Sequence, residues 1–230
     1  MIIKKFTMTP FQQNTRIVAC EETKQAICVD PGEQSDALEN FIKDNNLNLQ
    51  TIALTHAHLD HIGGVSDLYK KFPAAEIVLH QADEEMYYNL PMQPLMMGIP
   101  QGQLKALKMD YENPPKLTGF WQDGEVFEVG SLSFKILHCP GHSLGHVILA
   151  EETERKVFVG DCLFAGSIGR TDLPGGSMEQ IMDSIKNKII PLGDDFEVFT
   201  GHGENTTIAR EKSTNPFLTG AYETGHGRFV

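Results

Sequence analysis

The sequence predicts an α/β protein, and three observations support that prediction. Apolar residues make up 40 % and charged residues 22 % of the 230 residues, which is enough apolar material for a packed core. Segments with strand-like patterns are interspersed with segments of helical periodicity in both halves of the chain. No linker or low-complexity tract separates the halves, so we expect a single domain over residues 1–230. Strands and helices mixed in this way favour helices layered on β-sheets.

The individual elements follow from the spacing of apolar residues and from turn signals. Alternation or short apolar runs predict strands over residues 2–8, 15–20, 25–30, 50–54, 76–79, 125–129, 132–138, 146–150, 156–160 and 196–199. Apolar residues three and four apart predict helices over residues 35–45, 65–72 and 178–190. The third strand ends in the turn signal Asp30-Pro31-Gly32, and Pro73 ends the second helix.

Residues 89–119 differ from the rest of the chain because they are rich in proline and methionine. An irregular stretch of this length inside a compact domain is often a functional lid or a binding loop. An ordinary surface excursion is the alternative, and the pattern does not decide between the two.

The chain is acidic, with 19 Lys and Arg against 31 Asp and Glu and a formal net charge of −12. Nucleic acids and anionic membranes bind clustered cationic side chains, so we expect neither as a partner. No apolar run approaches the roughly 20 residues that span a bilayer, and residues 1–14 lack the apolar core of a signal peptide. The cysteines form no CxxC pair, which favours reduced thiols at Cys20, Cys28, Cys139 and Cys162. We therefore expect a soluble cytoplasmic protein; the oligomeric state is not indicated.

Four of the predicted strands share one feature, since each is followed at once by side chains that can bind a metal ion. These side chains are His56, His58, Asp60 and His61 after the strand over 50–54, His142 after 132–138, Asp161 after 156–160 and His202 after 196–199. Ligands at the carboxyl ends of several strands can converge in one crevice of an α/β fold. Four potential ligands within residues 56–61 would repel or crowd one another unless a cation organised them, so the block indicates a metal site.

The donor types narrow the choice of metal. Imidazole and carboxylate suit Zn²⁺, Fe²⁺ or Mn²⁺, and none of these positions offers a thiolate. His56 and His58 lie two apart in an extended segment, so they point the same way and can hold one ion. Asp60 and His61 lie where the chain turns toward the next helix and can reach a second ion. A lone histidine after a strand is usually a hydrogen-bonded surface or core residue, which is the interpretation for His80, His138, His146 and His226, and Cys162 is expected to pack.

The HxHxDH pattern at 56–61, with the later Gly-His, Gly-Asp and Gly-His pairs, resembles the metallo-β-lactamase superfamily. The resemblance implies an αββα sandwich of two mixed β-sheets flanked by helices. It also implies two divalent metal ions, with Zn²⁺ expected and Fe or Mn as alternatives. The ligand set that it implies is His56, His58 and His142 at the first ion, Asp60, His61 and His202 at the second, and Asp161 between them. A carboxylate at the bridging position is unlike most true β-lactamases of the superfamily, so antibiotic hydrolysis is disfavoured.

The segments GHSLGH (141–146) and GSIGRTDLPGG (166–176) resemble the glyoxalase II-like branch, the hydroxyacylglutathione hydrolases, in a short single-domain form. This resemblance implies hydrolysis of an S-acylglutathione-like thioester. It assigns Arg170 to the substrate carboxylate, with an ordinary salt-bridged loop arginine as the alternative. Full-length glyoxalase II continues into a helical domain that holds glutathione, whereas only residues 203–230 follow His202 here.

The implied mechanism is attack on the thioester carbonyl by a metal-bridging hydroxide. Two ions that share Asp161 would share a water and lower its pKa toward ~7. Asp60 is expected to be catalytic because it can both ligate and orient that hydroxide, and His146 is a candidate donor that supports the ligands from behind. The leaving thiolate is a weak base, so no strong general acid is needed.

Two other functions stay open on the sequence. Persulfide dioxygenases of the same superfamily also resemble the GRTD stretch and use one iron, which His56, His142 and Asp161 would hold. A metal-stabilised binding protein without turnover is the second alternative, although closed structural zinc sites are usually rich in thiolates.

Overall fold

The computed structural model describes residues 1–96, 99–100, 103, 106, 108 and 114–221. The chain divides into two compact units, the first of residues 1–121 with 128–132, the second of residues 122–127 with 133 onward. Each unit has a hydrophobic cluster of its own. The expectation of a single domain stays a prediction.

The first unit carries a mixed six-stranded sheet in the order β1-β2-β3-β4-β5-β6. Its strands are β1 (Ile2–Met8), β2 (Gln13–Ala19), β3 (Gln25–Val29), β4 (Asn48–Ala53), β5 (Glu76–His80) and β6 (Gly119–Trp121). The pairs β1–β2 and β2–β3 are antiparallel, and the pairs from β3 to β6 are parallel. Because parallel strands point the same way, the segments that follow β3 and β4 leave from the same edge of the sheet. The segment after β3 begins with Asp30, and the segment after β4 contains residues 56–61, called the histidine-rich segment below.

The helices of the first unit cover its sheet with apolar side chains. They are α1 (Asp36–Asp44), α2 (Leu59–Ile62), α3 (Val65–Lys71), α4 (Glu84–Tyr88) and α5 (Gln93–Met96). Leu38 and Ile42, four apart on α1, belong with Leu68 of α3 to the same buried cluster as Ile52 of β4. The helices expected over 35–45 and 65–72 are confirmed. The pattern did not predict α2, which is a single turn that carries Asp60 and His61.

The second six-stranded sheet has the order β14-β13-β10-β9-β8-β7. Its strands are β7 (Val126–Val129), β8 (Leu132–His138), β9 (Val147–Glu151), β10 (Lys156–Gly160), β13 (Glu197–Thr200) and β14 (Thr206–Thr207). The pair β10–β13 is parallel, so Asp161 and His202 both follow strands that end at one edge. The pairs β8–β9, β9–β10 and β13–β14 are antiparallel, and β11 (Leu163–Phe164) forms a small separate hairpin with β12 (Ser167–Ile168).

The helix expected over 178–190 is confirmed in its extent. It begins as α6 (Met178–Ser184) and continues as a π-helical turn over Ile185–Ile189. Ile181, Ile185 and Ile189 are fully buried and share one cluster with the strands of the sheet. Pro191 has no N–H group with which to continue the helix. Two further helices, α7 (Ile208–Thr214) and α8 (Pro216–Thr219), follow the last strands.

The proline-rich segment contains short helical elements that its pattern did not predict. A 3₁₀ turn over Leu90–Met92 leads directly into α5. Residues 97–98, 101–102, 104–105, 107 and 109–113 lie outside the described residues. The interpretations of the segment as a lid or as a surface excursion stay predictions.

None of the helices in the described part of the chain is long and apolar enough to cross a membrane. All four cysteines are free and buried.

Glu211 of α7 organises the chain that leads to Arg170. It is fully buried, and its carboxyl oxygens accept hydrogen bonds from the Gly166 amide (2.8 Å), the Asn215 side-chain amide (2.8 Å) and the Thr206 hydroxyl. The Asn215 amide also donates to the Ser167 carbonyl at 3.0 Å. The β11–β12 hairpin is therefore connected to α7 by hydrogen bonds to a buried carboxylate.

We expect Glu211→Ala to destabilise the protein by about 2–4 kcal/mol, because it leaves several buried donors without an acceptor. Equilibrium urea unfolding measures the loss. Glu179→Ala on the exposed side of α6 is the control and is expected to change stability by less than about 0.5 kcal/mol. Equal stability of the two variants would contradict this account of Glu211.

Candidate metal centre

The segment that follows β4 places four metal-competent side chains in the interior of the first unit. His56 and His61 are fully buried, and His58 and Asp60 are 7 % and 6 % exposed. Burying this many polar and ionisable groups is costly unless each is hydrogen-bonded or bound to a cation. The segment is extended as far as His58, and α2 begins at Leu59.

The imidazole rings of this segment converge. The ring centroids of His56 and His58 lie 4.8 Å apart with perpendicular planes, and those of His56 and His61 lie 4.1 Å apart. The structure thus brings three of the predicted ligands together. The Asp60 carboxylate lies 3.9 Å from Nε2 of His61.

Asp30 is a functional residue that the sequence reasoning missed, since it was interpreted only as part of a turn. It follows β3, is buried, and has a φ of 51°, a left-handed conformation that aspartate tolerates better than most residues. Its Oδ1 accepts from the Thr55 amide (2.8 Å), and its Oδ2 accepts from the Thr55 hydroxyl (2.6 Å) and lies 3.0 Å from Nδ1 of His61. The sequence signal that could have identified Asp30 is an acidic residue beside Pro-Gly at the end of a parallel strand.

These contacts determine which ring nitrogens face the site. A carboxylate only accepts, so Nδ1 of His61 donates to Asp30. The Thr55 hydroxyl donates its only hydrogen to Asp30, so it must accept the hydrogen bond from Nδ1 of His56, which lies 3.0 Å away. Both rings therefore carry their proton on Nδ1, and Nε2 is the nitrogen that could bind a metal ion. Because Asp30 is engaged in this way, it supports the ligands rather than joining them, although its carboxylate lies within 4.8 Å of both rings' donor atoms.

The second unit brings together the other three predicted ligands. Oδ2 of Asp161 lies 3.5 Å from Nε2 of His142 and 3.4 Å from Nε2 of His202. A direct charge-assisted hydrogen bond would measure about 2.7–2.9 Å. Two ligands of a tetrahedral ion with bonds of about 2.1 Å lie about 3.4 Å apart. The spacing therefore fits an oxygen that shares one ion with each imidazole, and the donor set fits a metal.

His142 and Asp161 are each held in place by a neighbour. Nδ1 of His142 lies 2.8 Å from the Arg170 carbonyl, which only accepts, so Nδ1 carries the proton and Nε2 is again the nitrogen that could bind a metal ion. The Asp161 backbone amide donates to Nε2 of the fully buried His146 at 3.0 Å. His146 supports a predicted ligand, but as an acceptor, whereas the sequence suggested a donor.

Two glycines are needed because the backbone passes close to these side chains. A Cβ at Gly201 would lie 2.0 Å from Oδ1 of Asp161. A Cβ at Gly169 would lie 1.9 Å from the Asp161 carbonyl oxygen and 3.0 Å from Nδ1 of His142. The Gly-His pair at 201–202 and the glycine before Arg170 thus have a steric reason.

The Arg170 side chain is engaged with an acid in its own loop. Its guanidinium binds Asp172 through two hydrogen bonds of 2.7 and 2.8 Å, and both side chains are exposed to solvent. This hydrogen bonding lowers the pKa of Asp172 to about 2 and raises the pKa of Arg170. The loop ion pair is the alternative that the sequence left open for this residue; the substrate role stays a prediction.

Of the other histidines interpreted as ordinary residues, His80 and His138 have ordinary surroundings. Nδ1 of His80 accepts from the Ala82 amide at 3.2 Å, and Nε2 of His138 lies 2.8 Å from the Leu144 carbonyl. His226 lies outside the described residues. Cys162 packs in the apolar cluster of the second unit beside Cys139, and burial raises the pKa of the Cys139 thiol.

Comparison with known proteins places the chain in a family. The sequence profile of the metallo-β-lactamase superfamily matches residues 8–202. Hydroxyacylglutathione hydrolase GloC of Haemophilus influenzae is 38 % identical over 218 residues, which cover 95 % of this chain and 98 % of that protein. The probable metallo-hydrolase YqgX of Bacillus subtilis is 31 % identical over 94 % of this chain and 97 % of its own. The chain belongs to the metallo-β-lactamase superfamily.

Solved structures confirm the predicted fold class. The crystal structure of BLEG-1 B3 metallo-β-lactamase matches with a TM-score of 0.82 at 33 % identity, over 95 % of this chain and all of that one. The crystal structure of TTHA1623 in a di-iron-bound form matches with a TM-score of 0.81 at 32 % identity, over 94 % of this chain and all of that one. Two mixed six-stranded sheets with flanking helices are thus the metallo-β-lactamase fold. Family and His/Asp clusters together define a metallohydrolase of this superfamily.

We expect Asp161→Ala to remove bound metal and hydrolytic activity together, because Asp161 is the acid that both His142 and His202 approach. Elemental analysis of the purified variant measures the metal, and far-UV circular dichroism verifies that it is folded. His80→Ala is the control and is expected to retain both metal and activity. An Asp161 variant with a full metal complement and full turnover would overturn the assignment.

Proposed function

We propose that the protein is a binuclear metallohydrolase that cleaves thioesters of the S-acylglutathione type. The observation that carries the binuclear part is the single Asp161 oxygen 3.5 and 3.4 Å from the metal-binding nitrogens of two histidines. The name and length of the GloC relative support the substrate class.

The proposed ligand set is the one that the family resemblance implies. His56, His58 and His142 hold the first ion, Asp60, His61 and His202 hold the second, and Asp161 bridges them. The family match over residues 8–202 contains all seven positions, which supports the assignment. The Nδ1 contacts of His56, His61 and His142 support it further, since each contact keeps the proton on Nδ1 and leaves the lone pair of Nε2 available to a metal ion.

Two bound divalent ions supply a water of lowered pKa and positive charge opposite the developing oxyanion. The protein's own groups direct that chemistry. Asp60, at the start of α2, would ligate one of the ions and orient the attacking water. Asp30 keeps the proton of His61 on Nδ1, and His146 holds the backbone of Asp161. The leaving group is a thiolate, a weak base, so the site needs no general acid.

We propose Zn²⁺ as the resident metal, with iron as the specific alternative. Nitrogen and oxygen donors without a thiolate suit both metals. The di-iron-bound structure of TTHA1623, at 32 % identity, supports the alternative.

Glutathione-type substrates are compatible with a chain of this length. The GloC relative, a hydroxyacylglutathione hydrolase by name, aligns over 98 % of its own length with 95 % of this chain. The alignment therefore leaves almost none of that relative unmatched, which supports the same substrate class for this chain. We also propose a cytoplasmic location, which the free buried thiols favour. We propose a small molecule as the substrate, since a net charge of −12 disfavours nucleic acids and anionic membranes as partners.

β-Lactam hydrolysis is a second candidate because the BLEG-1 structure, a B3 metallo-β-lactamase, covers 95 % of this chain at 33 % identity. The carboxylate of Asp161 at the position between the ions disfavours it. A β-lactam therefore belongs in the substrate panel.

The deciding experiment combines elemental analysis of freshly purified protein with anaerobic assays of S-lactoylglutathione and a chromogenic cephalosporin. We expect two metal ions per chain and thioester hydrolysis that needs no O₂. Oxygen consumption with glutathione persulfide, one iron per chain and no hydrolysis would replace the proposal with a dioxygenase. Cephalosporin hydrolysis without thioester hydrolysis would favour the second candidate, and a metal-loaded protein without turnover would favour a binding protein.

If Arg170 binds the substrate carboxylate, Arg170→Met is expected to raise KM for S-lactoylglutathione about tenfold and to leave kcat nearly unchanged. The substitution leaves the backbone carbonyl on His142 in place. Asp172→Asn is expected to lower KM, because it releases the guanidinium from its loop partner. Arg155→Met, which removes a surface partner of Asp195, is the matched control. An unchanged KM in both loop variants would assign Arg170 to the loop ion pair alone.

A further inference from the structure

Gln93 is a buried amide in a stretch of chain that has both buried and exposed positions. It is 7 % exposed and the adjacent Pro94 is also buried, whereas Met92 and Leu95 are 55 % and 54 % exposed. A buried side-chain amide has donors and an acceptor that must all find partners. Those of Gln93 find them in the histidine-rich segment.

The Gln93 carboxamide hydrogen-bonds the backbone on both sides of His58. Its Nε2 donates to the Ala57 carbonyl at 2.7 Å, and its Oε1 accepts from the Leu59 amide at 2.8 Å. Only one orientation of the amide satisfies both contacts, since a carbonyl only accepts and an N–H only donates. These two backbone groups are the ones that an adjacent parallel strand would engage, so the side chain acts as a one-residue strand beside His58.

The contact with Leu59 satisfies an amide at the start of α2 that has no partner within the helix. His58 is the N-cap of α2, a position where the side chain of Ser, Thr, Asp or Asn normally bonds the amide of the second or third helical residue. Its side chain makes no capping hydrogen bond. Gln93 instead satisfies the first amide of α2 from outside the helix.

Neighbouring contacts hold the same short segment. Nε2 of Gln93 also donates to the Met86 carbonyl at 3.2 Å, which ties the residue to α4. The Asp83 carboxylate accepts from the Ala57 amide at 3.2 Å. The amide and the carbonyl of Ala57 and the amide of Leu59 are thus all bound by side chains from residues 83–93.

We propose that Gln93 is a positioning residue of the metal centre. It fixes the backbone around His58, and with it the direction of the His58 imidazole and the start of the helix that carries Asp60 and His61. The proline-rich segment therefore contributes to the site through its first residues. This inference rests on the proposed metal centre and is independent of the proposed substrate.

The test compares Gln93→Leu and Gln93→Glu with the control Gln81→Leu, an exposed glutamine in the same stretch of chain. Zn²⁺ affinity is measured by competition with a chelator, and the absorption spectrum of the Co²⁺-loaded protein reports ligand geometry. We expect Gln93→Leu to weaken Zn²⁺ binding about 10–100-fold and to alter the Co²⁺ bands. Gln93→Glu keeps the acceptor for Leu59, so it is expected to fall between the wild type and Gln93→Leu.

Wild-type Zn²⁺ affinity and an unchanged Co²⁺ spectrum in Gln93→Leu would overturn the proposal. If that variant fails to fold, Gln93→Glu decides in its place, and wild-type behaviour there has the same meaning. A wild-type protein that binds Zn²⁺ but hydrolyses no thioester would refute the proposed substrate and leave this comparison intact. A thioesterase in which the Gln93 variants match the wild type would do the reverse.

Discussion

Every buried histidine that is to bind a metal must present one particular ring nitrogen, and this requirement governs the surroundings of the site. Nδ1 of His61 donates to Asp30, Nδ1 of His56 to Thr55, and Nδ1 of His142 to the Arg170 carbonyl. Each contact leaves the proton on Nδ1, so Nε2 is the nitrogen that could bind a metal ion. Three elements thus supply the groups that fix the protonation of these rings: the turn after β3, the end of β4 and the loop after β12.

The same constraint explains where the backbone comes close to the ligands. A carbonyl or amide that orients a ligand must lie within hydrogen-bond distance of it, so side chains are excluded nearby. Gly169 and Gly201 stand where a Cβ would collide with Asp161. Glu211 acts one step further away, because it ties down the hairpin that leads to the Arg170 carbonyl. In the first unit, Gln93 holds the chain on both sides of His58 in a comparable way.

Much of the fold could be predicted from local pattern. Ile181, Ile185 and Ile189 repeat at helical spacing and are buried together, and the strand expected over 132–138 is β8 with the same bounds. The three-residue β6 and the single turn of α2 were not predicted, because such short elements have too few residues to show a period. The proline content of residues 89–119 hid α5, whose importance lies in one buried glutamine.

The sequence by itself determined the family and the candidate ligands, since histidines and aspartates directly after apolar strands carry their chemistry in residue type and spacing. Tertiary structure alone decided which groups support those ligands. Asp30 and His61 are far apart in the chain, as are Gln93 and Leu59, and His146 and Asp161. Such pairs are made by strand pairing and by loops folding back, and a single sequence has no periodic signal for them. The same holds for Arg170: the family resemblance implied a substrate contact, while in the folded loop its carbonyl lies beside Nδ1 of His142 and its guanidinium binds Asp172.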